Sequence, residues 1–156
     1  MQAVVADRCI VSGMTEVQIG DRLIQMPSPV YVIPGTVTVS KEDSTVRGKC
    51  LFPSSDPTIG QRVDHVNLSH LQFTLWNAAH IMAQEKGWGP LLALKVIEEA
   101  KRITPPDTEI DFLAKITRAE RNGQGVLEGA AEAEFRLHGK LLATIHVERF
   151  VERKSE

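Results

Sequence analysis

Rings are scarce in this chain. Five Phe, two Trp and one Tyr make up 5% of 156 residues, so any binding site must rest on aliphatic walls and a few polar groups. Cysteine is nearly absent too. Cys9 and Cys50 form no Cys-x-x-Cys pair, and two reduced, buried thiols in a cytoplasmic protein are expected. The histidines, His65, His70, His80, His138 and His146, show no His-Glu-x-x-His and no zinc-type spacing. No metal or other cofactor is therefore expected. A net charge of -2 and a pI near 6.2 leave no basic excess for a polyanion, which argues against a nucleic-acid partner. No run approaches the ~18 consecutive apolar residues of a spanning helix, so no membrane partner is expected. Residues 1–8 carry no basic patch followed by an apolar run, and no secretory leader is expected.

What remains is an ordinary globular composition, 42% hydrophobic and 24% charged. A single domain over 1–156 is long enough to bury a core without disulfides or a metal. Residues 1–30 read as an N-terminal extension, with short extended pieces at 17–19 and 23–25 broken by Gly20, Pro27, Ser28 and Pro29. Two β-branched runs, 36–40 and 45–52, flank a polar turn at 41–44 and predict a hairpin. Pro53, Ser54, Ser55, Asp56, Pro57 and Gly60 then mark a loop.

Residues 69–86 give the clearest helix, with Ser69 as N-cap and Gly87 as stop. Leu71, Phe73, Leu75, Trp76, Ala78, Ala79, Ile81 and Met82 spread round nearly its whole circumference, and no charge appears before Glu85. Such a helix is expected to be buried on all sides, with something wrapped around it. The wrapping is a β-meander over 96–152. Ile110, Phe112, Ala114 and Ile116 alternate with polar neighbours, as do Leu127, Ala131, Ala133, Phe135 and Leu137. Asn122-Gly123 and His138-Gly139 mark its hairpin turns. Residues 91–101 have helical propensity, but Pro105-Pro106 and the following meander favour strand for their second half.

Two patterns carry candidate chemistry. Along the helix, His70, Thr74, Asn77, His80 and Gln84 fall within about a third of the circumference. Each alone has the alternative of bonding to surrounding backbone; as a set they are expected to line a polar pocket, because an unpaired buried polar group costs about 1–3 kcal/mol. The second pattern is Asp64, His65, Asn67 and His70 beside the helix N-terminus. That end presents unpaired N–H groups and the positive pole of the helix dipole, which polarise a carbonyl and stabilise an oxyanion. The four side chains offer a base, a water-positioning amide and a proton relay. Asp64 has the alternative of capping the turn. No Gly-x-Ser-x-Gly elbow occurs and neither cysteine adjoins a histidine, so a covalent triad is not indicated.

Hairpin, loop, one buried helix and a meander resemble the hot-dog superfamily of acyl-thioester enzymes. The resemblance implies an α+β fold, an antiparallel sheet wrapped around one long buried central helix. Residues 96–107, ending Pro105-Pro106-Asp107, resemble that superfamily's post-helix strand with its Pro-Gly-Asp-like turn, Pro106 standing in the glycine's place. Asp64-His65-Val66-Asn67 with Asn77 is similar to the FcoT-like fatty acyl-CoA thioesterases, whose pattern is Gly-His-Phe-Asn followed by a helix asparagine. Asp64 replaces that glycine, and the spacing from Asn67 to Asn77 is one residue longer.

This resemblance implies that Asn67 and Asn77 position the thioester and the attacking water, with Tyr31 near the acyl group and His65 the candidate base. Amine addition to an enoyl thioester is a further chemistry of such relatives. Asp64 completes the catalytic candidates, and Tyr31, His70, Thr74 and Arg62 are the substrate-binding ones, with Arg62, Lys101 or Arg102 open to a carrier phosphate. The implied partner is an acyl-CoA or acyl-carrier-protein thioester, and the implied assembly a homodimer or higher homo-oligomer. The dehydratase branch competes through Phe52-Pro53, followed later by Pro57 and Gly60, but Leu51 stands where its histidine belongs. Asn77 is the nearest counterpart of its helix acid, and an amide cannot exchange the proton that dehydration needs. A non-catalytic acyl-binding module is the third reading.

Overall fold

The computed structural model describes residues 14–56, 66, 68–102 and 105–153. Eight strands and one long helix follow in the order β1 (Met14–Ile19), β2 (Arg22–Pro27), β3 (Thr38–Ser40), β4 (Thr45–Leu51), α1 (Leu68–Glu85), β5 (Leu91–Ala100), β6 (Glu109–Arg121), β7 (Leu127–Leu137) and β8 (Lys140–Glu152). β3–β8 form one antiparallel sheet in the order β3-β4-β6-β7-β8-β5, and among the described residues β1 pairs with β2 alone. The alternation read along β6 and β7 decides which sheet face is buried. Ile110, Phe112, Ala114 and Ile116 point inward, as do Leu127, Ala131, Ala133 and Phe135. α1 packs on that face against β4–β8, and β2 covers another side of it.

Local chemistry explains the joints. His138 and Gly139 both take positive φ between the paired Leu137 and Lys140, the backbone of a tight type I′ turn. Gly129 has no room for a side chain: a Cβ there would run into the Arg118 carbonyl and the Phe150 ring, beside the register shift between Ile116 and Arg118.

Several expectations need correction. Strand β5 begins at Leu91, not at 96, and no part of it is helical. Pairing of Glu98 with Ile145 and of Ala100 with Ala143 overrides the helical propensity of Glu98, Glu99 and Ala100. The first arm of the predicted hairpin is short, because Pro34–Thr36 coils into a 3₁₀ turn. The helix is also not covered all round: Phe73 is 37% exposed and Trp76 only half-buried. Among the described residues, no helix is long and apolar enough to cross a membrane.

Candidate functional site

The N-terminal turns of α1 meet a small cluster of rings. Tyr31 lies 4.6 Å from Phe52 between ring centroids, and edge-on to His70 at 6.1 Å and to Phe73 at 6.3 Å. Tyr31 reaches this place because its backbone is fixed on two sides. Its carbonyl accepts the Leu51 N–H at 3.0 Å, and its N–H donates to Asn77 Oδ1 at 3.2 Å. Its hydroxyl donates to Asp56 Oδ2 at 2.8 Å. Asp56 closes a short turn through its N–H to the Pro53 carbonyl at 3.0 Å. That turn is latched to the chain before β6: Ser54 N–H donates to Asp107 Oδ1 at 2.9 Å, and Asp107 N–H to the Phe52 carbonyl at 2.9 Å. The bonds from Ser54 hold the Asp107 carboxyl below the usual carboxylate range.

Backbone takes up much of the polar stripe of α1. Asn77 is fully buried, and its Nδ2 donates to the carbonyls of Pro27 at 3.0 Å and Pro29 at 3.4 Å. His80 Nδ1 lies 2.9 Å from the Trp76 carbonyl, while Nε2 accepts the Leu91 N–H at 3.0 Å. That pair of bonds requires the neutral ring with its proton on Nδ1, and burial lowers the His80 pKa accordingly. Gln84 Nε2 donates to the Gln25 carbonyl at 2.8 Å. Three of the five stripe residues therefore fasten backbone segments to the helix. Thr74 is fully buried, and its hydroxyl has no geometrically sound hydrogen bond; its polar neighbour is the Cys50 thiol, a weak partner. Burial pushes that thiol up to about 12, so Cys50 is no nucleophile at neutral pH.

A different face of α1 does border a cavity. Phe73, Trp76, Leu92, Val96, Ile145 and Val147 are among the walls of a space of about 280 Å³ between the helix and β5 and β8, with Ser69 and Gln72 at its rim. A larger groove of about 500 Å³ runs over the outer sheet face past Arg47, Lys49, Asp111, Glu134 and Arg136. Its charges are mostly in exposed ion pairs with one another, which are worth little and leave no buried group aimed at a ligand. The apolar cavity is the better candidate.

Arg62, Asp64, His65 and Asn67 lie outside the described residues, as does Cys9. Of the remaining candidates, Tyr31 and His70 come together, Asn77 reaches Tyr31 through the backbone, and Thr74 lies beside Cys50. Asp56, Phe52 and Phe73 are members that sequence reasoning did not assign to the site. In the sequence Asp56 is one of several loop breakers, and no spacing rule ties it to a tyrosine 25 positions earlier. Phe73 stands in the sequence as one of the apolar residues round the helix, and its exposed ring beside a buried face is itself a signal. Among the described residues, no group of three His, Cys, Asp or Glu is placed to hold a metal ion.

No family model and no curated protein matches the chain. Solved structures do match. The Escherichia coli PaaI protein from the phenylacetic acid degradation operon superposes with a TM-score of 0.56 at 9% identity, over 97% of this chain and 92% of that one. Mouse thioesterase superfamily member 2 gives 0.55 at 10% identity, covering 79% of this chain and 91% of its own. A conserved Pseudomonas aeruginosa protein gives 0.55 at 14% identity, over 94% and 93%. The protein thus has the α+β hot-dog fold, an architecture it shares with thioesterase-superfamily proteins.

Proposed function

We propose that the protein hydrolyses acyl thioesters carried on coenzyme A or an acyl carrier protein. The supporting observation is the junction at Phe73, whose ring belongs both to the Tyr31 cluster and to the wall of the apolar cavity. An acyl chain in that cavity brings its thioester to the first turn of α1. There the N-terminal N–H groups and the helix dipole polarise the carbonyl. A thioester is already activated, so polarisation plus a placed water suffices without a protein nucleophile.

We assign His65 as the base, with Asn67 and Asp64 beside it and Arg62 for a carrier phosphate. The likeness to the FcoT-like thioesterases supports Tyr31 and His70 on the acyl side. Asn77 serves by holding the Tyr31 backbone, since its amide already has three backbone partners. Thr74 lies one turn deeper along the same helix. Leu92, Leu94 and Ile97, each 46–48% exposed on the edge strand β5, support a homodimer in which a second copy pairs along β5 and closes the cavity.

The deciding experiment measures free thiol released from a graded series of acyl-CoAs. Turnover by the wild type and a loss of about 100-fold in His65→Ala are expected. Water added to a 2-enoyl thioester without thiol release would make the protein a hydratase. Tight acyl binding without turnover would make it a binding module.

A further inference from the structure

The apolar cavity beside α1 has one blind end. On the helix it is bordered by Ser69, Gln72, Phe73 and Trp76, residues of successive turns on one face. The next position on that face is His80, whose Nε2 accepts the Leu91 N–H at 3.0 Å. That bond starts β5 against the helix, and the strand then runs back beside α1 from Leu91 toward Val96. His80 and Leu91 are both buried, and the Trp76 ring stands edge-on to the His80 ring at 5.5 Å. Trp76 therefore forms the floor of the cavity, with Leu92 and Ala93 beside it. The polar Ser69 and Gln72 stand at the mouth, by the helix N-terminus.

Depth and volume together limit the occupant. From Ser69 to Trp76 the helix rises about 10 Å, at ~1.5 Å per residue. The space is about 280 Å³, and a carbon-sized group takes about as much room as a water molecule, ~30 Å³, so about nine fit. The far walls are the branched side chains of Val96, Ile145 and Val147, and nothing that lines the space is charged. We propose that the cavity is a length gauge for a straight, saturated acyl chain of about eight to ten carbons, with Trp76 as its stop. The inference rests on the thioester reading above and names its substrate class. A straight chain entering at the mouth follows the helix down to the indole. A phenylacetyl group is too short to reach it and leaves the deep end empty.

The test uses the full chain and two readouts. Thiol release from saturated acyl-CoAs, butyryl to hexadecanoyl, gives kcat/KM against chain length. Calorimetry with the matching free fatty acids, each below its micellar concentration, gives affinity without turnover. In wild type both rise about fourfold per added methylene as far as about decanoyl, then level or fall. Trp76→Ala removes the stop and moves that break to longer chains by about two carbons or more. Ala93→Leu fills the same floor and moves it to shorter chains by about as much, so the two variants shift it in opposite directions. A profile still climbing at hexadecanoyl overturns the gauge, as does a wild-type break in either variant that is folded by circular dichroism. Absence of fatty-acid binding, or faster turnover of phenylacetyl-CoA than of octanoyl-CoA, overturns it too. A graded fatty-acid profile with no thiol released from any acyl-CoA sinks the hydrolase reading instead and leaves the gauge standing.

Discussion

Two faces of one helix have been put to opposite uses. The polar face carries Asn77 and Gln84, bonded to the backbone of residues 25–31, and His80, bonded to the Trp76 carbonyl and to the Leu91 N–H at the start of β5. The face that carries Phe73 and Trp76 lacks charged groups and leaves a cavity of about 280 Å³ against β5 and β8. A buried amide is well suited to holding an irregular strap, because it satisfies donors and acceptors that no ladder reaches. An apolar wall has nothing to saturate and keeps its surface for a ligand. The polar face builds the site's frame, and the apolar face holds its occupant.

The largest expected effect tests the frame. Asn77→Ala strands the Tyr31 N–H and the Pro27 and Pro29 carbonyls, all within a strap that α1 covers. At about 1–3 kcal/mol for each unsatisfied group, a loss of at least about 3 kcal/mol is expected in urea unfolding. Trp76→Ala, on the other face, removes a half-buried ring beside existing space and should cost less. Equal costs would break the division between the faces.

His80 gives the next effect, with a pH signature. The folded protein needs the neutral ring, and its pKa is lowered from 6.5 chiefly by burial, with the Trp76 carbonyl bond opposing in part. Between the two values the unfolded chain binds a proton that the folded one does not. Its contribution is therefore complete above pH 6.5 and falls as pH drops below that, levelling only at the lower, folded-state value. Chemical denaturation across this range should show the decline, and His80→Ala should flatten it while costing about 1–3 kcal/mol at neutral pH. A slope unchanged in His80→Ala would assign the decline to other groups.

A smaller effect on stability is expected at the edge of the apolar face. Leu92→Glu and Ile97→Lys change exposed side chains on β5, so each should alter monomer stability by no more than about 0.5 kcal/mol. Both should convert the proposed homodimer to a monomer in sedimentation. A wild type that sediments as a monomer at every concentration removes the second copy from the picture.

Periodicity made most of the fold legible. The alternation on β6 and β7 and the all-apolar circumference of α1 are local signals, and they gave the meander and the central helix directly. β5 was harder, since its helical propensity yields only to pairing with β8, a partner 43 or more positions away. The site was legible only in part. Tyr31 and His70 were marked and do meet, but the carboxylate on the tyrosine comes from a turn whose sequence says only "loop". The polar stripe misled for a physical reason. Spacing shows that polar groups share a face; it cannot show whether that face meets water, ligand or neighbouring backbone, and here backbone takes three of the five.

Thr74 offers the smallest and most discriminating change on that polar face. Asn77, His80 and Gln84 in the stripe are satisfied by backbone, yet the buried Thr74 hydroxyl has no sound hydrogen-bond partner among the described residues and lies beside the Cys50 thiol. A hydroxyl taken from water without a sound replacement bond is a net cost, and valine keeps the shape and nearly the same helix propensity. Thr74→Val is thus expected to be neutral or to stabilise by up to about 1 kcal/mol, read as an upward shift of the urea midpoint at constant slope. A loss of more than about 1 kcal/mol would mean that Thr74 is itself a fastener, bonded to the thiol or to the preceding helical turn, and the polar face would then be saturated along its whole length. A gain in stability with slower thioester turnover would point the other way, to a hydroxyl kept unpaired for a ligand's sake.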